Sequence, residues 1–295
     1  MTATHPVTTP RLSHRLEAAL AHVVFALVRP LPTAAVSTFG GWLGRTFGPL
    51  TGAHRTALRN LSRALPELDT ASQARVLSEA WDNFGRTMME YAVLAKLARD
   101  PGRIIVEGDD ALALQTVQGG PAILFCAHLG NWEIIPPALA RLAKPLTIVY
   151  RPPNNPLVDR MIGEIRAPYT AGMAPKGAAG ARQMLKALAS GEHLILVVDQ
   201  KINTGLEIPF FGRGAFTGDA VARFAMRYNC PVFPVRTERL EDGRFKVTVE
   251  APWTFPENGG EDEVRAALTR INQRLEEWIR ARPGQWLWMH KRWPD

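Results

Sequence analysis

The sequence predicts an α/β fold, with a mixed, largely parallel sheet flanked by helices and a helical region ahead of it. Short apolar runs alternate with helical patterns along residues 101–295, as strands and crossover helices do in parallel sheets. The clearest strand, residues 122–127, is uninterruptedly apolar, which is typical of a strand buried on both faces. With 295 residues, the chain is long enough for one large domain with a full core.

Three segments of different character follow one another along the chain. Residues 1–10 are polar, contain two prolines and are expected to be disordered. Residues 11–100 have mainly helical patterns, and residues 101–295 are expected to form one structural unit with them. Strands are predicted at 103–107, 122–127, 146–150, 193–198, 232–237 and 245–250, and helices of this second part at 156–165, 177–190, 217–228 and 261–282. A further helix is expected after the strand 122–127, ending near residue 143.

Positive charge is concentrated near the amino terminus. The formal net charge is +7, and the first 63 residues contain a single acid, Glu17, against Arg11, Arg15, Arg29, Arg45, Arg55, Arg59 and Arg63. Apolar and aromatic residues are interleaved with these arginines, and no nucleic-acid-binding signature accompanies them, so a membrane surface is the predicted anionic partner. The uncharged run 18–28 is shorter than the roughly twenty residues of a bilayer span. We therefore expect two interfacial helices within residues 11–100; a helical hairpin packed on the domain is the alternative.

The two cysteines give no indication of disulfide or metal chemistry. Cys126 and Cys230 lie in or beside apolar strands, which suits reduced, buried thiols and a location on the cytoplasmic side. Histidines, cysteines and acids lack the close spacing of zinc ligands. The sequence therefore predicts no metal and no cofactor.

A histidine and a carboxylate follow the most apolar predicted strand. His128 comes directly after residues 122–127, at the carboxyl end of the strand, where open α/β sheets bind ligands. Gly130 permits a tight turn and Asn131 is a good helix cap, so Glu133 is expected to fold back towards His128. A carboxylate on one ring nitrogen leaves the other free to act as a base. The pair would deprotonate a hydroxyl supplied by a substrate, although a structural histidine is the alternative.

Three predicted strands end in chemically rich turns. His128 follows the strand 122–127, Arg151 follows 146–150, and Asp199 follows 193–198. If these strands are parallel, all three turns open on one edge of the sheet and form a single crevice. A guanidinium at Arg151 suits a phosphate or a phosphopantetheine arm.

Several motifs resemble those of one known family. The hexapeptide His128-Leu-Gly-Asn-Trp-Glu133 resembles the His-x4-acid motif of the bacterial lipid A late acyltransferases, which are lauroyl or myristoyl transferases of the lysophospholipid acyltransferase superfamily. Further similar stretches are Tyr150-Arg-Pro-Pro-Asn-Asn155, Val198-Asp-Gln200, Pro209-Phe-Phe-Gly212 followed by Thr217, Cys230-Pro-Val-Phe-Pro234 and residues 283–292. The resemblance extends over residues 15–293 and implies a glycerolipid acyltransferase-like fold.

The resemblance implies roles for individual residues. His128 would act as the base and Glu133 would orient it. Backbone amides at Gly130 or Asn131 are the candidates for stabilising the oxyanion. Substrate-binding roles are expected at Arg151, Asn155, Asp199, Gln200 and Thr217.

The resemblance also implies a reaction and a location. A fatty acyl group would pass from acyl carrier protein to a hydroxyl of a lipid A precursor or other anionic lipid acceptor, without nucleic acid as a partner. The protein would be peripheral or monotopic on the cytoplasmic face of the bacterial inner membrane. Alternatives with the same fold are transfer to another glycolipid or phospholipid, or acyl thioester hydrolysis. A membrane-bound interaction protein without activity is the alternative outside the enzymes.

Overall fold

A computed structural model describes residues 10–140, 145–175 and 177–294 of the chain. Its amino-terminal part is helical and comprises α1 (Leu12–Val28), α2 (Thr33–Phe47), α3 (Gly52–Ala64), α4 (Thr70–Glu90) and α5 (Leu94–Arg99). The elements that follow, in chain order, are β1 (Ile104–Glu107), α6 (Asp110–Val117), β2 (Ile123–Cys126), α7 (Ile135–Leu139), β3 (Leu146–Tyr150), α8 (Pro156–Arg166), β4 (Gly172–Pro175), α9 (Ala178–Ala189), β5 (His193–Val197), β6 (Leu206–Phe210), β7 (Arg213–Thr217), α10 (Ala220–Tyr228), β8 (Val232–Arg239), β9 (Phe245–Val249) and α11 (Glu261–Ala281).

The described residues form one seven-stranded sheet with helices on both faces. The strand order is β1-β9-β8-β2-β5-β3-β4, and all neighbouring strands are parallel except β8 and β9. Side chains alternate between two cores: Phe125 and Leu196 face one, whereas Cys126 and Ile195 face the other. The mixed, largely parallel sheet predicted from the sequence is therefore confirmed.

Three local features differ from the sequence prediction. Strand β4 was not predicted because glycine and proline disfavour strands, but β4 lies at the sheet edge, where proline is tolerated. The segment 209–212, for which no strand was predicted, belongs to the β6–β7 hairpin, whose turn residues Phe211 and Gly212 both have positive φ. The helix expected after β2 is shorter, comprising a 3-10 turn at Trp132–Ile134 and then α7, and residues 141–144 of the expected helix lie outside the described residues.

Helix α2 packs unusually close to α4. A Cβ atom at Gly40 or Gly44 of α2, or at Gly85 of α4, would collide with the backbone of the facing helix. Glycine at these positions therefore permits the close approach, which fixes α2 on the rest of the molecule. Among the helices that the structure describes, none carries an apolar stretch of the length that a bilayer crossing requires.

Helix α1 lies against α8 and leaves a row of large apolar side chains in contact with solvent. The row follows helical spacing, three or four residues apart, and Leu12 is 73% exposed. Its members on α1 are Leu12, Leu16, Leu20, Val23 and Leu27. The next helix along the chain, α2, exposes Phe39, Trp42 and Phe47. We call these eight residues the exposed apolar face.

Candidate active site

Strands β2, β5 and β3 are adjacent and parallel, so the turns that follow them meet at one edge of the sheet. The pairing of β2 with β5 places Cys126 opposite Val197. Two residues further along each strand, the same register brings His128 next to Asp199, with both side chains on the same face. The predicted convergence of the three turns is thus confirmed, and strand pairing brings together two residues that are 71 positions apart.

Asp199 holds the imidazole of His128. His128 Nδ1 lies 2.7 Å from Asp199 Oδ1, and the backbone N–H of His128 donates to Oδ2 at 2.9 Å. Because an ionised carboxylate only accepts hydrogen bonds, Nδ1 carries the proton and Nε2 keeps its lone pair. The ring of Trp132 packs edge-on against the imidazole with 4.8 Å between centroids. The imidazole is therefore fixed in the tautomer and orientation that a general base requires.

The environment of Asp199 keeps it ionised. Burial by itself would raise the pKa of the carboxyl group, but the positive charge that His128 can carry and the donated hydrogen bonds outweigh burial and hold the pKa well below its usual range. One of these donors is the indole Nε1 of Trp286, 2.7 Å from Oδ2. Asp199 was expected to bind substrate; its two oxygens are instead occupied by His128 and Trp286.

Glu133 does not make the contact with His128 that the sequence predicted. Its carboxylate accepts two hydrogen bonds from Arg166 at the end of α8, at 2.8 Å from Nε and 2.6 Å from Nη2. Burial would raise the pKa of Glu133, but the guanidinium of Arg166 outweighs burial and lowers it. The physical reason for the difference is that the 3-10 turn at Trp132–Ile134, capped by Asn131, directs Glu133 towards α8.

A second buried ion pair supports the turn that follows His128. Glu90 of α4 accepts hydrogen bonds from Arg239 at 2.5 and 2.9 Å, and from the side chain of Asn131 at 2.7 Å. Asn83 lies about two helical turns before Glu90 on α4, and its side chain donates to the carbonyl of Gly130 at 2.8 Å. The turn is therefore anchored to α4 through both a side chain and a backbone carbonyl.

The segment Gln285–Leu287 runs alongside the same turn. The N–H of Gly130 donates to the carbonyl of Gln285 at 3.0 Å, and the N–H of Leu287 donates to the carbonyl of His128 at 3.1 Å. Leu129 and Trp286 form an antiparallel bridge between these two bonds. We call residues 285–287 the strap, because they connect to the histidine turn through the backbone and to Asp199 through Trp286.

A cavity of about 330 Å³ lies beside the imidazole. We call it the dyad cavity, and its apolar lining includes Cys126, Ile148 and Ile195 of the sheet. Its polar lining comprises His128, Glu133, Tyr150, Arg151, Asn154, Arg166 and Gln200. Gln200 Nε2 lies 3.4 Å from His128 Nε2, and Arg151 is exposed to solvent. Roles of Arg151 and Gln200 in substrate binding stay predictions.

Three other predicted site groups have different contacts. Asn155 caps α8 through Leu157 N–H and donates to α1 at the carbonyl of His14, so it joins two helices. Thr217 is buried at the end of β7, where its hydroxyl accepts from Arg292 at 2.8 Å. The amide of Gly130 is already bonded to the strap, so this oxyanion candidate is wrong.

The backbone amide of Asn131 stays a prediction as an oxyanion donor. Residues that the sequence analysis did not single out are Arg166, Arg239 and Trp286. Nothing in the local sequence distinguishes the two arginines from surface arginines, whereas Trp286 lies in the family-like stretch 283–292 but was given no role in the site.

The nucleophile of this site has to come from the substrate. No serine or threonine lines the described part of the dyad cavity. Burial raises the pKa of the Tyr150 hydroxyl to about 12 and the pKa of the Cys126 thiol well above its ordinary value, which keeps both groups from acting as anionic nucleophiles. A histidine and a buried carboxylate can instead deprotonate a substrate hydroxyl. This chemistry, at the carboxyl edge of such a sheet, is that of an O-acyltransferase.

Comparison with protein families identifies the family to which the chain belongs. Residues 8–295 match the model of the bacterial lipid A biosynthesis acyltransferases, and the chain belongs to that family. It is therefore an acyltransferase of lipid A biosynthesis. A comparison with proteins of curated function finds no match.

Proposed function

We propose that this protein transfers a fatty acyl chain from acyl carrier protein to a hydroxyl group of a lipid A precursor. The observation that carries the proposal is the His128–Asp199 pair, whose second ring nitrogen faces a cavity with arginines in its lining. Family membership supplies the class of acceptor. The acyl carrier protein is the part of the proposal that rests on the sequence resemblance.

In the proposed reaction His128 acts as the general base. Its Nε2 takes the proton of the acceptor hydroxyl while the oxygen attacks the thioester carbonyl, and the imidazolium then protonates the departing sulfur. Asp199 stabilises the imidazolium without taking its proton, since its pKa is far below that of an ordinary carboxyl group. Glu133 has a positioning role in this proposal, because it holds Arg166 in the lining of the dyad cavity.

Two arginines suit the anionic groups of the proposed substrates. Arg151 follows β3 and is exposed beside the dyad cavity, next to the rigid Pro152–Pro153. Arg166 lines the same cavity, although Glu133 neutralises much of its charge. A phosphate of the acceptor or of the phosphopantetheine arm would bind most strongly to Arg151, which has no buried carboxylate beside it among the described residues.

The exposed apolar face supports docking on the cytoplasmic side of the inner membrane. Soluble surfaces rarely expose a continuous row of large apolar residues, and such rows mark sites of membrane or protein contact. Arg11 and Arg15 of the same region are exposed and match the negative charge of lipid phosphates. In this proposal α1 and α2 lie in the interface.

Acyl transfer with purified protein tests the proposed function. Lauroyl- and myristoyl-acyl carrier protein serve as donors, a phosphorylated lipid A precursor serves as the acceptor, and mass spectrometry detects the added chain. The wild type is expected to add one acyl chain, and His128→Ala is expected to lose activity by about 10³-fold or more while its melting temperature stays close to that of the wild type. Hydrolysis of the donor without any transfer would identify a thioesterase instead.

Vesicle sedimentation tests the membrane contact separately. Replacing Leu16 and Leu20 by Glu is expected to weaken binding to phosphatidylethanolamine vesicles containing phosphatidylglycerol by about tenfold or more, because each buried leucine contributes about 1.5–3 kcal/mol. Leu114→Glu is the control, since Leu114 is equally apolar and 57% exposed but lies on α6. Equal binding of all variants would reject the docking face.

A further inference from the structure

We propose that Gln200 is a catalytic residue, whose side-chain amide donates a hydrogen bond to the oxyanion that forms from the thioester carbonyl. The inference rests on the proposed acyl transfer and deepens it. It assigns to a side chain the stabilising role that sequence reasoning gave to backbone amides of the histidine turn.

Two consecutive residues contact the two nitrogens of the imidazole. Asp199 Oδ1 is 2.7 Å from His128 Nδ1, and Gln200 Nε2 is 3.4 Å from His128 Nε2. Since Asp199 fixes the proton on Nδ1, the other nitrogen is an acceptor, and Gln200 must present its NH₂ group rather than its carbonyl. A hydrogen-bond donor therefore lies beside the nitrogen that takes the proton.

Gln200 also lies between two cavities of different character. The dyad cavity is on one face of the sheet, and an apolar pocket of about 170 Å³ is on the other face. Both are lined by Val149, Val197 and Gln200. The apolar pocket is further lined by Met184, Leu196, Val198, Ile202 and Val221. An acyl chain in the apolar pocket, with the acceptor in the dyad cavity, would bring the thioester carbonyl to Gln200.

Two competing backbone donors of the histidine turn are engaged. The N–H of Gly130 donates to Gln285, and the N–H of His128 donates to Asp199. Gln200, in contrast, is only partly buried and its amide contacts a nitrogen that the substrate hydroxyl must approach. When the hydroxyl occupies that place, the amide is released from the imidazole and becomes available to the neighbouring carbonyl oxygen.

The step is balanced without any other reactant. The hydroxyl oxygen forms a bond to the carbonyl carbon, its proton passes to His128 Nε2, and the π electrons of the carbonyl move to the oxygen that Gln200 binds. When the carbonyl re-forms, the carbon–sulfur bond breaks and the sulfur takes the proton from His128. The products are the ester and the free thiol of the carrier.

Gln200→Leu and Gln200→Glu test the role. Leucine keeps the approximate size, and glutamate keeps the shape but replaces the donor by a carboxylate. With lauroyl-acyl carrier protein, both variants are expected to lower kcat for transfer by about 10²-fold or more, with the KM of donor and acceptor changed by less than about threefold. Hydrolysis of the donor by water, measured without the lipid acceptor, is expected to fall by the same factor, because both reactions pass through an oxyanion.

The outcomes separate this inference from its alternatives. Gln118→Leu is the matched control, because Gln118 is exposed after α6 and lines neither cavity. A raised KM for the acceptor with kcat unchanged, or transfer lost with hydrolysis intact, would show that Gln200 only orients the acceptor and would overturn the inference. If Gln200→Leu and Gln200→Glu kept the kcat of the wild type, the role of Gln200 would be overturned and the proposed function would stay in place. Wild-type protein that turns over no thioester would overturn both.

Discussion

Asp199 and Glu133 are two buried carboxylates near the same histidine, but they have different partners. Asp199 accepts hydrogen bonds from the imidazole, a backbone amide and an indole, none of which carries a permanent charge. Glu133 accepts both of its strong hydrogen bonds from the permanently charged Arg166. In both residues the pKa is lowered although burial acts to raise it.

The difference shows which carboxylate can assist proton transfer. When His128 becomes protonated, the charge of Asp199 stabilises it by direct contact, whereas the charge of Glu133 is already paired with the guanidinium of Arg166. The motif that places Glu133 five residues after His128 therefore identifies the site without identifying the partner of the histidine. Four predictions separate the two carboxylates, in order of decreasing effect.

Replacing Asp199 by Asn is expected to have the largest effect on activity. The amide can donate to Nδ1 and so favours the wrong tautomer of His128, which should lower kcat by about 10³- to 10⁴-fold. Initial rates of acyl transfer, with circular dichroism as a check on folding, measure this loss. Glu133→Gln is the matched comparison, and a larger kcat loss in Glu133→Gln than in Asp199→Asn would reverse the assignment.

Glu133→Gln is expected to affect stability more than chemistry. It leaves the guanidinium of Arg166 buried beside a neutral amide, and breaking a buried ion pair in this way costs about 3–5 kcal/mol. The free energy of unfolding in urea measures the cost. The double variant Glu133→Gln, Arg166→Met should recover part of the loss, because it removes the unpaired charge. A double variant that is less stable than the single one would contradict this explanation.

Trp286→Phe is expected to reduce kcat by about tenfold, since one buried hydrogen bond of about 1–2 kcal/mol to Asp199 is lost. Trp288→Phe provides the control. Its indole is equally buried, and it donates to the carbonyl of Pro283 instead of to Asp199. Both variants should lose similar stability in thermal unfolding, but only Trp286→Phe should lose activity. Equal kcat values for Trp286→Phe and Trp288→Phe would show that the hydrogen bond from Trp286 to Asp199 does not contribute to activity.

The smallest expected effect is on the free energy of unfolding at low pH. The pKa of Asp199 is lowered on folding, so its ionised form stabilises the native state above the unfolded pKa of about 3.9. This contribution is lost as the pH falls below about 4 towards the native pKa. The difference in unfolding free energy between the wild type and Asp199→Asn should therefore shrink on acidification, by at most about 1.4 kcal/mol per pH unit. A difference that is constant from pH 5 down to acid unfolding would be inconsistent with this linkage.

The sequence predicts the sheet well where local pattern decides the structure. Strand β2 is a continuous apolar run, and β3 and β5 are mostly apolar. The parallel pairing of these strands places His128, Arg151 and Asp199 at one edge. Strand β4 has glycine and proline, and only its position at the edge makes it a strand. Local propensity does not contain that information.

The partners of the site depend on tertiary structure. Arg166 contacts a carboxylate 33 residues away, and Arg239 contacts one 149 residues away. Either arginine would pass for a solvent-exposed residue in the sequence. The pairing of His128 with Asp199 follows from the adjacency and register of β2 and β5, which the sequence pattern does not specify. The proximity of Glu133 in the chain favoured the wrong carboxylate.

The strap has a consequence for biosynthesis of the protein. His128 and Asp199 leave the ribosome well before Trp286, and until that indole arrives the aspartate lacks one of its donors and the histidine turn lacks its neighbouring strand. Full activity of the His128–Asp199 pair is therefore expected only after the strap has been synthesised and has packed against the histidine turn.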